Sequence, residues 1–197
     1  MSKNYYKTKW DNLSAEQKYD LAKEFENELA NFLIKKCGFN QVIPTRDSII
    51  TIAKERGLVL PDLMGVHKNS TEYFIELKEK NRRMFIEDNG IDRNKAVAYL
   101  EVQKQFNKRV LLVFRDDELE WKEKFPLVVS RFKDSFGNCV YYGGWVDDLY
   151  SKTPDNPYTN TVGVGDKAVK CFPLRDMKKI EELFKEKQTS LNFSVIQ

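Results

Sequence analysis

Leu58-Val-Leu-Pro-Asp62-Leu-Met-Gly-Val-His67-Lys-Asn-Ser-Thr71-Glu-Tyr-Phe-Ile-Glu76-Leu-Lys78 is the stretch whose reading decides the fold of this chain. Two runs of β-forming residues, Leu63 to Val66 and Thr71 to Leu77, flank turn material at Lys68-Asn69-Ser70, so the stretch reads as a hairpin. Side chains alternate faces along a strand, which sets Glu76 and Lys78 on one side. If the turn spans residues 68–70, Asp62 lies directly across from Glu76; a turn centred on Ser70 puts it across from Lys78. Either register gathers Asp62, Glu76 and Lys78 on one face. An even-length turn would send Asp62 to the other.

On the N-terminal side, Ser14-Ala15-Glu16-Gln17 fits a capping box, and Leu21, Phe25, Leu29, Phe32 and Leu33 keep helical spacing up to Gly38. Phe39 to Pro44 reads as a short strand, and Asp47 to Arg56 favours a short helix before Gly57. On the C-terminal side, Glu87-Asp88-Asn89-Gly90 reads as a break, followed by a helix from about Asp92 to Asn107 with Tyr99, Val102 and Phe106 on one side. Arg109 to Phe114 is a continuous apolar run, as in a strand covered on both faces. The resulting order, helix, strand, strand, strand, helix, strand, predicts an α/β fold: a mixed sheet flanked by helices.

After Arg115 the pattern loosens. Pro126 to Lys133 starts a helix, Val140 to Trp145 is a strand ending in a turn, Ser151 to Gly165 is a loop, and Arg175 to Lys187 is an amphipathic helix. Without repeats or a dividing linker, residues 1–197 read as one domain with a core at about 14–115 and a C-terminal elaboration at about 116–197.

Composition narrows the function classes. A hydrophobic fraction of 41% rules out a disordered chain, and 33 Lys+Arg against 30 Asp+Glu leave a net charge too small to announce a nucleic-acid partner except locally. Cys37, Cys139 and Cys171 are far apart and His67 is the only histidine, which speaks against structural zinc and for reduced thiols. No apolar stretch approaches membrane-spanning length and the first residues lack an apolar signal region, so the expectation is a cytoplasmic protein with no membrane partner. Gly163-Val-Gly165-Asp-Lys-Ala168 matches G-x-G-x-x-A but follows turn-rich sequence rather than a strand, so no nucleotide cofactor is expected.

The hairpin acids are the chemical signal. Two neighbouring carboxylates repel, and one is pushed toward protonation unless a cation sits between them. Lys78 compensates in part and a divalent ion does so better. Hard oxygen ligands favour Mg²⁺, with Mn²⁺ as substitute. Such an ion would hold a phosphate oxygen and lower the pKa of a bound water. Lys78 would orient or deprotonate that water, or stabilise charge at phosphorus. The competing reading is a solvated salt-bridge ladder.

Pro61-Asp62 together with Glu76-Leu77-Lys78 resembles the signature of the PD-(D/E)xK nuclease superfamily, over about half the chain, from Ser14 to near Arg115. The resemblance implies a restriction-endonuclease-like core and metal-dependent hydrolysis of DNA phosphodiester bonds. It implies catalytic roles for Asp62, Glu76 and Lys78, and the backbone carbonyl of Leu77 as a further metal ligand. Resolvase-like members carry a glutamate on the first helix shortly before a Gly-aromatic pair. Here that position is Glu26, ahead of Gly38-Phe39, with Glu24 and Glu28 as alternatives. Gln103, on the second helix, is an accessory candidate. Lys80, Arg82 and Arg83 follow the signature and would meet backbone phosphates. The aromatics of the N-terminal arm, Tyr5, Tyr6 and Trp10, are expected to pack on the first helix rather than stack on bases.

The expected activity is that of a Mg²⁺-dependent endodeoxyribonuclease. Restriction-like, junction-resolving and phage or mobile-element nucleases are all compatible, and RNA is not distinguished from DNA. A double-strand or junction cutter needs two sites, hence a symmetric homodimer. The alternative is a non-catalytic module that binds nucleic acid or protein on the same scaffold.

Overall fold

The structure is a computed structural model that describes residues 13–79, 88–115, 140–153, 161–162 and 168–189. Helix α1, Ala15–Cys37, starts at a complete Ser14–Gln17 capping box and ends at Gly38, whose left-handed conformation (φ 76°) stops it. Strand β1 is Phe39–Pro44 and helix α2 is Asp47–Glu55. The hairpin follows as β2, Leu63–His67, and β3, Glu72–Glu79. Strand β4, Asp88–Asp92, precedes helix α3, Arg93–Phe106, and strand β5, Val110–Arg115. Beyond these lie β6, Tyr141–Trp145; helix α4, Val146–Lys152; β7, Thr161–Val162; β8, Val169–Pro173; β9, Lys178–Lys179; and helix α5, Ile180–Thr189.

The main sheet has six strands in the order β1-β2-β3-β5-β6-β9. Its β3–β5 pair is parallel, with α3 in the crossover, and its other pairs are antiparallel. The mixed α/β core, with its order of helix, three strands, helix and strand, is therefore as expected. Leu63 pairs with Ile75 and Val66 with Glu72, which is the register of a turn at 68–70. His67 N–H donates to the Thr71 carbonyl at 2.9 Å, Ser70 N–H donates to the His67 carbonyl at 2.8 Å, and Ser70 takes a φ of 65°. The turn centred on Ser70 is thereby excluded.

Each sheet face has its own core. On one, Phe74, Leu112, Phe114 and Tyr142 pack against Ala96, Tyr99 and Val102 of α3, Val146 and Leu149 of α4, and Ile91 and Phe172 of the smaller sheet. On the other, Tyr73, Ile75, Leu111 and Val113 meet Leu29 and Leu33 of α1 and Ile180 and Phe184 of α5. Each fully buried leucine here stabilises by about 1.5–3 kcal/mol. Glu76 and Lys78 fall on the α3 face by alternation from Phe74, so the first core runs out into a carboxylate.

Several local readings are corrected. Within the break expected at residues 87–90, Asp88, Asn89 and Gly90 instead belong to strand β4, which pairs with β8 in a three-stranded sheet ordered β4-β8-β7. Asp, Asn and Gly are poor strand formers, but Gly90 suits this pairing because a Cβ there would run into the Lys170 carbonyl oxygen. The strand around Val140 does not end in a turn; β6 passes straight into α4, and Gly143-Gly144 lies within the strand. Glycine is needed there because a Cβ on Gly143 would collide with the Leu112 carbonyl.

The 151–165 stretch is not all loop: Ser151 and Lys152 end α4, and Thr161–Val162 is a strand. The final helix starts later than the periodicity predicted, because Leu174–Asp176 forms a 3-10 turn and Lys178–Lys179 adds an edge strand. The 126–133 helix start, the N-terminal arm, Cys139 and residues 163–167 lie outside the described residues. Cys37 and Cys171 are buried thiols that form no disulfide, as expected. No helix among the described residues is long and apolar enough to cross a membrane.

Candidate active site

Asp62 lies one residue before β2, and continuing the ladder from Leu63–Ile75 sets it across from Glu76. Thr45, buried just past the end of β1, fixes this corner. Its backbone N–H donates to the Asp62 carbonyl at 2.9 Å and its hydroxyl donates to the Pro61 carbonyl at 2.7 Å. Pro61 is buried while the Asp62 side chain is exposed, so the carboxylate leaves the hairpin toward solvent.

Glu76 is the opposite case, with a side chain only 1% exposed. The Lys78 ammonium is in ion-pair contact with its Oε1, and Lys95 Nζ of α3 lies 4.0 Å from the same oxygen. The Tyr99 hydroxyl is within hydrogen-bonding reach. Neither carboxylate oxygen nevertheless receives a well-aligned hydrogen bond. Glu76 thus has two donors close by, Lys78 and Tyr99, neither well aligned on it.

Burial pushes the Glu76 carboxyl above the usual glutamate range; Lys78 pulls it back only in part, and Asp62 adds to the rise. Burial works against the Lys78 ammonium, but Glu76 and then Asp62 outweigh it and hold the lysine above its ordinary value. Tyr99 is pushed far up, by burial first and by Glu76 next. The site at rest therefore holds a cationic Lys78 and a neutral tyrosine hydroxyl around an acid that resists ionisation.

Asp62 also acts on Lys23 of α1, whose charge is favoured first by its hydrogen bond to Glu26. Lys23 Nζ lies 2.8 Å from Glu26 Oε2, and the Glu26 side chain is 15% exposed. Of the three acids on this part of α1, Glu26 is thus the one paired with Lys23. Glu28 turns to Arg115 at 3.1 Å, and Glu24 is exposed. Glu26 does not complete a three-carboxylate cluster: among the described residues, no three His, Cys, Asp or Glu side chains are grouped so as to hold a metal ion. The lysine one turn earlier holds it instead.

Gln103 faces elsewhere. Its Oε1 accepts the Val110 N–H at 2.8 Å and ties the end of α3 to the start of β5. Leu77 packs its side chain on the α1 face. Lys80, Arg82 and Arg83 lie outside the described residues.

Sequence reasoning missed Lys95, Thr45 and the role of Tyr99. Lys95 and Tyr99 are four residues apart on a helix whose buried stripe contains Tyr99, which was a usable signal that both face β3. Nothing local marked Thr45, because its partners are sixteen and seventeen residues away.

No protein-family model matches the chain, and no curated protein matches it. Among solved structures, the chain is similar to that of Archaeoglobus fulgidus Hjc, a Holliday junction resolvase from an archaeal hyperthermophile. The TM-score is 0.48 at 13% identity, covering 83% of this chain and 94% of the resolvase.

Proposed function

We propose that this protein is a metal-dependent endodeoxyribonuclease of the PD-(D/E)xK kind, hydrolysing DNA phosphodiester bonds at Asp62, Glu76 and Lys78. The observation that carries this reading is Glu76, a buried carboxylate whose two oxygens lack aligned donors, beside Lys78 and in the field of Asp62. Burying a carboxyl so poorly matched costs stability, which a folding role does not explain. A divalent cation fits these residues, since Mg²⁺ is commonly held by one or two carboxylates and takes its other ligands from water and substrate phosphate.

Asp62, Glu76 and the Leu77 carbonyl would hold Mg²⁺ or Mn²⁺, and Glu26, paired with Lys23, would be a further ligand. The ion would supply a polarised phosphate oxygen and a bound water of lowered pKa. Lys78, kept protonated by the two acids, suits stabilisation of negative charge at phosphorus better than removal of a proton. Lys95, 41% exposed at the mouth of the site, suits a neighbouring phosphate. Lys80, Arg82 and Arg83 would extend that contact along the backbone of the DNA.

The proposal takes residues 1–197 as one cytoplasmic nuclease domain. In support, β6 and β9 belong to the same sheet as the hairpin, and α4 and α5 cover its two faces. A symmetric homodimer would supply two sites for double-strand or junction cutting. A non-catalytic binding module has no use for a buried acid, which weighs against the alternative.

The test is incubation with plasmid, linear, single-stranded and branched DNA, and with RNA, in Mg²⁺, Mn²⁺ or EDTA. Cleavage that requires the metal and is lost in Asp62→Ala and Lys78→Ala, both still folded, is expected. Cleavage unchanged in both variants would place the active site elsewhere.

A further inference from the structure

We infer that Thr45 is a positioning residue that sets the direction of the Asp62 carboxylate, an inference that rests on the site proposed above. Asp62 lies one residue outside the paired residues of β2, so the ladder holds it only through Leu63. The preceding Pro61 has no N–H to donate. What holds the corner is Thr45: its hydroxyl bonds the carbonyl of the peptide before Asp62, and its N–H bonds the carbonyl of the peptide after it.

Both peptide planes flanking the Asp62 Cα are therefore pinned by a single residue, and with them the φ and ψ that aim the side chain. The hydroxyl bond, at 2.7 Å, is buried, where water does not replace a lost donor. Loss of a residue that bonds a ligating side chain directly weakens metal affinity about 10–100-fold, and Thr45, which acts one step further back through the backbone, belongs at the low end of that range.

Thr45→Val keeps the shape and the backbone bond and removes only the hydroxyl; Thr45→Ser keeps the hydroxyl. Two readouts are taken below the melting temperature of each variant: calorimetric titration with Mn²⁺ alone, and cleavage of plasmid DNA across a Mg²⁺ series. Thr45→Val is expected to raise the Mn²⁺ dissociation constant and the half-saturating Mg²⁺ concentration about tenfold, with KM for DNA unchanged and both metal values near wild type in Thr45→Ser. Should Thr45→Val not fold, Thr45→Ala takes its place with the same expectation.

A wild-type metal midpoint in the folded, hydroxyl-free variant overturns the inference and leaves the nuclease reading standing. An equal shift in Thr45→Ser and Thr45→Val also overturns it. If wild-type protein neither binds Mn²⁺ nor cuts DNA, the site reading falls and the inference goes with it.

Discussion

Replacing Glu76 with glutamine is expected to stabilise the metal-free protein and to abolish its response to Mg²⁺. Glu76 is a buried carboxyl whose charged form burial disfavours, and its Lys78 and Tyr99 contacts are poorly aligned, a mismatch on the scale of about 1–3 kcal/mol in all. Attraction to Lys78 returns part of that. Removing one partner of a buried pair is normally costly because the other charge is stranded. Here Lys78 stays 24% exposed and in the field of Asp62, so it is not stranded.

The balance favours glutamine by about 1 kcal/mol near neutral pH, or roughly 2–4 °C in melting temperature for a chain of this size. The sign with pH follows from the raised Glu76 pKa. A carboxyl that titrates higher when folded favours the folded state most below its unfolded value of about 4.3, and loses that advantage as pH climbs through its folded value. The gain of Glu76→Gln over wild type should therefore be small at acid pH and grow as pH rises above the ordinary glutamate range.

Added Mg²⁺ should reverse the ranking. At about tenfold over a dissociation constant, a ligand specific to the folded state adds about 1.4 kcal/mol, and only wild type should receive it. The assay is thermal unfolding of both proteins in EDTA and in Mg²⁺ at several pH values. A variant less stable than wild type in EDTA at pH 7, or raised by Mg²⁺ as much as wild type, would refute the reasoning.

Other expectations are independent of that one. Lys78→Met should lower cleavage about 10²–10³-fold, the scale of losing one preorganised charge-stabilising group, while Lys78→Arg should keep measurable activity; equal loss in both would argue that Lys78 accepts a proton instead. Gly90→Ala should destabilise by about 1–3 kcal/mol in denaturant unfolding, since its methyl meets the Lys170 carbonyl, and wild-type stability would mean that β4 is not pressed on β8. Asp147→Ala removes a two-point contact to Arg109 that is partly exposed, at 2.6 and 3.1 Å. It should cost about 0.5–1 kcal/mol at low salt and less at 1 M salt, and a salt-independent loss would point to packing rather than charge.

Much of the sheet core was legible because its signals are local. The Ser14–Gln17 box, the α1 stripe and the Lys68–Ser70 turn each lie within a few residues, and the turn alone determined which residues face each other across the hairpin. That is why Asp62 could be set opposite Glu76 from sequence. The second sheet was not legible: Asp88-Asn89-Gly90 carries every mark of a break, and its pairing with β8 depends on residues about eighty positions away.

For the site, the amino-acid sequence by itself determined which groups share a face, because the two-residue alternation of a strand is a property of the backbone. Only the tertiary structure decided how those groups stand to solvent and to one another. It buries Glu76 beneath α3 and brings Lys95 and Tyr99 over it from that helix. It leaves Asp62 exposed under the hold of Thr45, and it gives Glu26 to Lys23 rather than to the other acids. Burial and convergence are sums over contacts from distant segments, so no local pattern of residue types encodes them.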